Sequence, residues 1–228
     1  MDLFIEKDKI NRGGYYDYSP SNYLDIYDLK VFNARRNLIT KGYFNCIINP
    51  LNNILKKYGI TNKIVLDAGC GECALYNELL DNTKYGIDLS KDAIEYASNT
   101  YKDIYLSIAN INNLPFKDNT FDCALNIFAL KNYEEFTRVL KEDGIMIKVI
   151  PIDDSNKYTI SANQKLIDDF FNHYDYLEQE NIKEELPLHK DDYQDYIEMN
   201  PELFIYDNFE EINTMSWNVS ILVGRVKK

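Results

Sequence analysis

The sequence predicts an α/β fold: a largely parallel sheet preceded by a helical cap. Three observations carry this. Short β-branched runs alternate with helical patterns between residues 63 and 150. The strand interiors, as in Lys63-Ile-Val-Leu-Asp67, are apolar throughout rather than alternating, which fits strands covered on both faces. The length, 228 residues with 45% hydrophobic content, suits one cored domain with additions, and no linker divides it.

The elements follow in order. Residues 1–20 are polar, with Tyr15, Tyr16 and Tyr18 behind Gly13-Gly14, and read as an irregular arm. Ser21 or Asn22 caps a helix bearing Ile26, Leu29, Phe32 and Arg36 at helical spacing. A second helix runs from about Phe44 to Tyr58 on Ile47, Leu51, Ile54 and Leu55, and Gly59 ends it. Arm and cap occupy 1–60, and the main domain occupies 61–228.

Within that domain the first strand, 63–67, leads into Ala68-Gly69-Cys70-Gly71 and a helix carrying Leu75, Leu79 and Leu80. A second strand ends at Tyr85-Gly-Ile-Asp88, and Ser90 caps a helix with Ala93, Ile94 and Ala97. Strands follow at Ile104–Ile108, Phe121–Ile127 and Gly144–Ile150, with a helix at Tyr133–Leu140. Val219–Val223 reads as a strand closing one sheet edge, and the acidic stretch near 175–200 as a solvated insert.

Composition narrows the function. With 25 Lys and Arg against 37 Asp and Glu the formal charge is −12, which argues against nonspecific nucleic-acid binding. The charge is uneven. Residues 29–66 hold seven cations and no acid, whereas residues 151–200 carry 13 acids against four lysines. The first stretch leaves room for an anion-binding face, and the second could attract a cation. No apolar run reaches a membrane span, and Met1-Asp-Leu-Phe-Ile-Glu6 has no signal-peptide pattern, so no membrane partner and a cytoplasmic location are expected. Cys70-x-x-Cys73 has no second pair, and His173 and His189 lie far from it, so no metal is expected.

The chemistry concentrates where the first strand ends, in Asp67-Ala-Gly69-Cys-Gly71-Glu72. Ligands of open α/β sheets bind at the carboxyl ends of strands, and glycines there let a ligand approach the backbone. Asp88 ends the second strand nineteen residues after Gly69, where a carboxylate can accept both ribose hydroxyls of a nucleoside. Ala74 keeps the spacing of a dinucleotide site, but Asp67 and Glu72 would repel a pyrophosphate. Two carboxylates suit a ligand carrying an ammonium and a sulfonium.

Val65-Leu-Asp-Ala-Gly-Cys-Gly71, Tyr85-Gly-Ile-Asp-Leu-Ser90, Asn113-Leu-Pro-Phe116 and Phe121-Asp122 together resemble the class I S-adenosylmethionine-dependent methyltransferases. The resemblance implies a Rossmann-like fold with a mostly parallel seven-stranded sheet. It implies that Asp67, Gly69, Gly71 and Glu72 hold the methionine end of S-adenosylmethionine, that Asp88 binds ribose, and that Leu89, Asn110 and Ile111 surround adenine. Phe32-Asn-Ala-Arg-Arg36, Gly42-Tyr-Phe44, Asn126-Ile-Phe-Ala129, Asn132-Tyr-Glu-Glu-Phe136, Ile147-Lys-Val-Ile-Pro151 and Met199-Asn-Pro201 are similar to bacterial large-subunit rRNA guanine-N1 methyltransferases. The family's N-terminal zinc module has no counterpart in these residues. Phe44 stands where that family usually has a Tyr facing the cofactor, Leu130 replaces a Pro, and Glu142-Asp-Gly144 replaces Pro-Gly-Gly.

The reaction expected is methyl transfer, to nitrogen by preference. Asn126, ending the fourth strand, is the one catalytic candidate, with a role in cofactor binding or in tying down the next loop as alternatives. Arg35, Arg36, Tyr15 and Tyr16 are the acceptor-binding candidates, and Trp217 reads as core. The acceptor is a small molecule or peptide, or else rRNA guanine N1. A non-catalytic S-adenosylmethionine-binding protein is the remaining alternative, and a homodimer is allowed.

Overall fold

The computed structural model describes residues 3–4, 13–19, 29–200 and 212–227. The expected helix start at Ser21 or Asn22, with Ile26, lies outside the described residues, as does Pro201.

Eight strands form one sheet in the order β1-β4-β3-β2-β5-β6-β8-β7. The strands are β1 (Tyr16–Asp17), β2 (Ile64–Ala68), β3 (Thr83–Asp88), β4 (Ile104–Ile108), β5 (Phe121–Ile127), β6 (Leu140–Pro151), β7 (Tyr174–Pro187) and β8 (Thr214–Val226). Neighbouring pairs from β1 to β6 run parallel, and β8 is antiparallel to both β6 and β7. The sheet is thus a Rossmann-like, seven-stranded one with a two-residue strand added at the β4 edge. Helices α1 (Leu29–Thr40) and α2 (Asn45–Lys57) make the cap. The remaining helices are α3 (Ala74–Asn77), α4 (Lys91–Thr100), α5 (Tyr133–Val139), α6 (Lys157–His173) and α7 (Tyr193–Met199).

The uniformly apolar strands fill two cores. Val65, Leu106, Cys123, Leu125 and Ile147 pack on one face with Leu38, Ile47, Leu51 and Ile94 from the helices. Leu66, Ala68, Ile87, Ala124 and Met146 pack on the other with Phe136 and Phe170. Adjacent residues such as Val65 and Leu66 therefore bury on opposite faces, as the two-residue period of a strand demands. Ser90 caps α4 by accepting from the Ala93 N–H.

Two expectations need correcting. The C-terminal strand is not an edge: β8 is 13 residues long and sits between β6 and β7. The acidic stretch 175–200 is not a loose insert but the edge strand β7, a 3₁₀ turn at Lys190–Asp192 and α7. Most of β7 is exposed or half-buried, so it carries no apolar alternation to betray it. Helix α6 also escaped notice, because only Phe170 of its 17 residues is fully buried.

Candidate active site

Strand β2 lies between β3 and β5, where the order of the sheet reverses, so a crevice opens at its carboxyl end. The turn there is held by Gly69 and Cys70 N–H groups donating to Ile87 O at 2.8 and 2.9 Å. Gly69 and Gly71 have φ of +93° and +55°, a region that side chains with a Cβ avoid. A Cβ on Gly69 would lie 2.4 Å from the Ala129 Cβ, and one on Gly71 would lie 2.7 Å from Arg35 Nη2. Asp88 braces the turn from β3: one carboxylate oxygen accepts from Gly71 N–H at 2.8 Å and the other from Ser90 N–H at 2.9 Å.

Two cavities meet at Gly69. One, of about 300 Å³, is lined by Asp88, Leu89, Asn110, Ile111 and the 129–131 loop. The other, about 30 Å³, is lined by Arg35, Phe44, Asp67, Glu72, Leu75 and Phe128. The first is shaped by the loop after β4, which Arg138 clamps by donating to Leu114 O at 2.9 Å and Phe116 O at 2.7 Å. The second holds room for about one water, because Arg35 reaches across it from the cap.

The small cavity is strongly charged. Asp67 is 3% exposed, and its Oδ1 accepts no hydrogen bond. Burial, reinforced by the Asp88 charge and opposed by Arg35, pushes its pKa up to about 8. Glu72 is as deeply buried and accepts from Arg35 Nη2 at 2.7 Å. The Arg35 guanidinium also lies 5.1 Å from the centre of the Phe32 ring. Burial raises the Asp88 pKa too, against the two N–H groups it accepts. A buried carboxylate oxygen with no donor is costly, and a cationic ligand group would relieve it.

The structure brings Asp67, Gly69, Glu72, Asp88, Leu89, Asn110, Ile111, Phe44 and Arg35 to the lining of these two cavities, and sets Gly71 beside them against Arg35 and Asp88. It takes Asn126 out of the catalytic role. That side chain is fully buried, donates to Ala68 O at 2.7 Å and Leu130 O at 2.9 Å, and accepts from Lys148 Nζ. Both of its N–H donors tie the β5 loop to β2, and its oxygen accepts from Lys148 on β6. Tyr15 is also withdrawn: its ring is 1% exposed, and its hydroxyl donates to Glu95 at 2.8 Å. Tyr16 packs its ring 4.2 Å from Phe4 beyond β4. Arg36 lies over the Tyr96 ring at 4.1 Å and donates to Asn33. Of the four acceptor candidates, Arg35 lines the smaller of these two cavities, and the other three line neither.

Sequence reasoning missed three residues beside the crevice. Lys148 is 4% exposed, donates to Ala129 O at 3.2 Å as well as to Asn126, and has a pKa lowered to about 8 by burial and by Lys131. A lysine inside the apolar Ile145–Ile150 run was the available signal. Phe128 lines the small cavity with its backbone in the left-handed region, φ +54°. Trp217 stacks against Phe128 and meets Phe44 edge-on at 4.6 Å. Only the pairing of β8 across the sheet brings Trp217 there, so no local pattern announced it.

A family model described as a methyltransferase domain matches residues 66–148. A Bacillus subtilis protein, provisionally named a 23S rRNA guanine-N1 methyltransferase, is 36% identical over 170 residues, covering 70% of this chain and 59% of its own. The 23S rRNA (guanine(748)-N1)-methyltransferase of Streptomyces fradiae is 25% identical over 191 residues, covering 76% of this chain and 68% of its own. Among solved structures, a Haloferax volcanii methyltransferase in complex with the Trm112 activator shares the fold, with a TM-score of 0.56 at 16% identity over 91% of this chain and 100% of that one. The chain spans about half the length of the first curated relatives it matches, from 47% to 59%. Among the described residues, no helix is long and apolar enough to cross a membrane. Residues 66–148 thus match a methyltransferase domain, and the chain is similar over part of their length to proteins named as 23S rRNA guanine-N1 methyltransferases.

Proposed function

We propose that the protein binds S-adenosylmethionine across the two cavities and transfers its methyl group to a nitrogen of an acceptor. The orphaned Asp67 carboxylate oxygen, buried beside the Gly69–Gly71 cradle, carries this reading. It fits the methionine end, whose ammonium supplies the missing donor. Asp88 keeps a lone pair on each oxygen for the ribose hydroxyls, and Leu89, Asn110 and Ile111 line the space for adenine. Arg35 turns from Glu72 to the methionine carboxylate, which opens the small cavity.

Held by Asp67, Asp88 and Arg35, the cofactor would supply an electrophilic methyl carbon to the acceptor nitrogen and leave as S-adenosylhomocysteine, the nitrogen's proton passing to solvent. The chain's task is placement. A rigid glycine turn and a tied β5 loop fix the line of attack, and such positioning accounts for most of the acceleration.

The names of the two rRNA-methylating relatives favour an RNA guanine as acceptor. A small cationic acceptor draws less support, since Asp192 and Asp195 are already engaged by Lys41, Tyr43 and Asn37. Calorimetry with S-adenosylhomocysteine tests the cofactor reading, and a folded sample that gives no heat refutes it. The salt dependence of binding to an rRNA hairpin tests the acceptor. A slope of roughly one power per neutralised phosphate supports RNA, and a flat or absent response leaves a small molecule or peptide.

A further inference from the structure

Phe128 is placed against its own preference. A bulky aromatic residue rarely adopts φ +54°, and such outliers concentrate where function fixes them. The backbone is pinned by the Phe128 N–H donating to Val149 O at 3.1 Å, and the Asn126 network anchors the loop on both sides. The strain is spent on aiming one ring. That ring lines the small cavity with Asp67 and Glu72, yet it remains 38% exposed.

Behind it the ring is supported. Trp217 lies nearly parallel to Phe128, with centroids 6.0 Å apart and planes 17° apart. Phe44 meets Trp217 edge-on, and the indole N–H donates to Tyr43 O at 2.8 Å, so the indole is locked to the cap. The result is a rigid aromatic wall at the methionine end of the crevice. The adenine end is served by other residues, Leu89, Asn110 and Ile111, so this wall is not needed there.

We propose that the Phe128 ring, backed by Trp217, is the stacking face for the planar nucleobase that receives the methyl group. The inference rests on the methyltransferase reading, since only then does a nucleophile belong beside Asp67. A nucleobase matches a flat ring face, and its ring N–H edge can meet the Glu72 carboxylate, which Arg35 leaves when it turns to the methionine carboxylate. An acyclic amine would gain nothing from a flat wall.

Trp217 is the only tryptophan in the sequence, so its emission reports on this wall directly. The protein is first saturated with S-adenosylhomocysteine, followed by calorimetry, and then titrated with guanosine 5′-monophosphate, a guanine-containing RNA hairpin, or spermidine. A saturable change with the nucleotide or the hairpin, and none with spermidine, supports the proposal. A response to the hairpin alone assigns the base to an RNA strand, and a response to both allows a free nucleotide. Phe128→Asn removes the ring while suiting the left-handed backbone. It should keep the melting temperature and weaken nucleobase binding about five- to a hundredfold, as for loss of one base–aromatic stack, with a smaller effect on cofactor affinity. Phe128→Tyr should restore it. Nucleobase binding unaffected by Phe128→Asn, or cofactor affinity lost in parallel, overturns the proposal. Cofactor binding with no nucleobase response overturns it alone, whereas no cofactor binding removes the methyltransferase reading as well.

Discussion

The two ends of the crevice are built differently. The larger cavity is made by consecutive strand-and-loop units: Asp88 and Leu89 after β3, Asn110 and Ile111 after β4, and the 129–131 loop after β5. It is open as it stands. The smaller one needs Arg35 and Phe44 from the cap, the Asp67–Glu72 turn, Phe128 after β5, and Trp217 from β8 behind it. Two of its lining side chains, Arg35 and Glu72, are paired at 2.7 Å. Local chain order thus preforms the larger cavity, the adenosine side on the proposed reading, while long-range packing assembles the smaller one, where the methyl group would be transferred. On the proposed reading a ligand enters the first directly, and Arg35 turns away from Glu72 as it enters the second.

Gly69 belongs to both cavities, so its substitution should break the comparison outright. In Gly69→Ala the new methyl meets the Ala129 Cβ at 2.4 Å on a backbone at φ +93°. The turn and the β5 loop must part, and affinity for S-adenosylmethionine and for adenosine should both fall by at least about a hundredfold. Circular dichroism checks that the sheet survives, and calorimetry reads the loss. A loss below tenfold for either ligand would show that the turn adapts.

Asp88→Ala separates the two sides. Hydrogen bonds from ribose to a charged acceptor contribute about 1.5–3 kcal/mol, so affinity should fall about ten- to a hundredfold. The same factor should apply to adenosine, which has no methionine end. Arg35→Ala should do the reverse, lowering affinity for S-adenosylmethionine while leaving adenosine unchanged. Equal effects of Arg35→Ala on both ligands would dissolve the distinction.

The pH dependence sharpens it further. Asp67 in the ligand-free protein holds its proton up to about pH 8, well above the ordinary carboxylate value of 3.8. A cationic ligand favours the ionised form and drives the proton off. Affinity for S-adenosylmethionine should therefore rise with pH towards 8, by up to about tenfold per unit, and level off above it. Adenosine binding should not move, and Asp67→Asn should abolish the slope. For the ligand-free fold the sign is opposite: the folded chain keeps a proton the unfolded chain has released, so this group's contribution falls as pH rises from about 4 to 8. A slope shared by adenosine would place the titrating group elsewhere.

The same asymmetry governs what was legible in the sequence. Asp67, Gly69, Gly71, Asp88 and Asn110 are legible because each sits at a strand end within one compact run, and the period of the strands fixes where they emerge. Phe128 and Trp217 are 89 residues apart, and only the β5-β6-β8 order brings them together. Tyr15 and Asn126 looked functional because polar side chains near a crevice suggest contact with a ligand. Their hydrogen bonds, to Glu95 and to Ala68 and Leu130, are visible only once the chain is folded. The pairings between the two charge runs are likewise visible only in the fold.

Those runs supply the smallest effect. Residues 29–66 look like an anion-binding face and residues 151–200 like a cation trap, yet two of the seven cations of the first, Lys41 and Lys57, pair with acids of the second. Lys41 pairs with Asp192 and with Asp195 at 3.5 Å, and Lys57 pairs with Glu178 at 2.7 Å. Asp192 also accepts from the Tyr43 hydroxyl at 2.7 Å, so α1 and the turn after it are fastened to the start of α7. Lys41 is 43% exposed, and an ion pair so placed contributes between zero and about 1 kcal/mol. Lys41→Ala should therefore lower the melting temperature by only a few degrees, more at low salt than at high. Because it loosens the cap, it should weaken S-adenosylmethionine binding by no more than about threefold and leave adenosine alone. Because Lys41 is already paired within the chain, the salt slope of RNA binding should stay the same. A slope reduced by about one power in Lys41→Ala would instead show that this lysine leaves Asp192 for a phosphate.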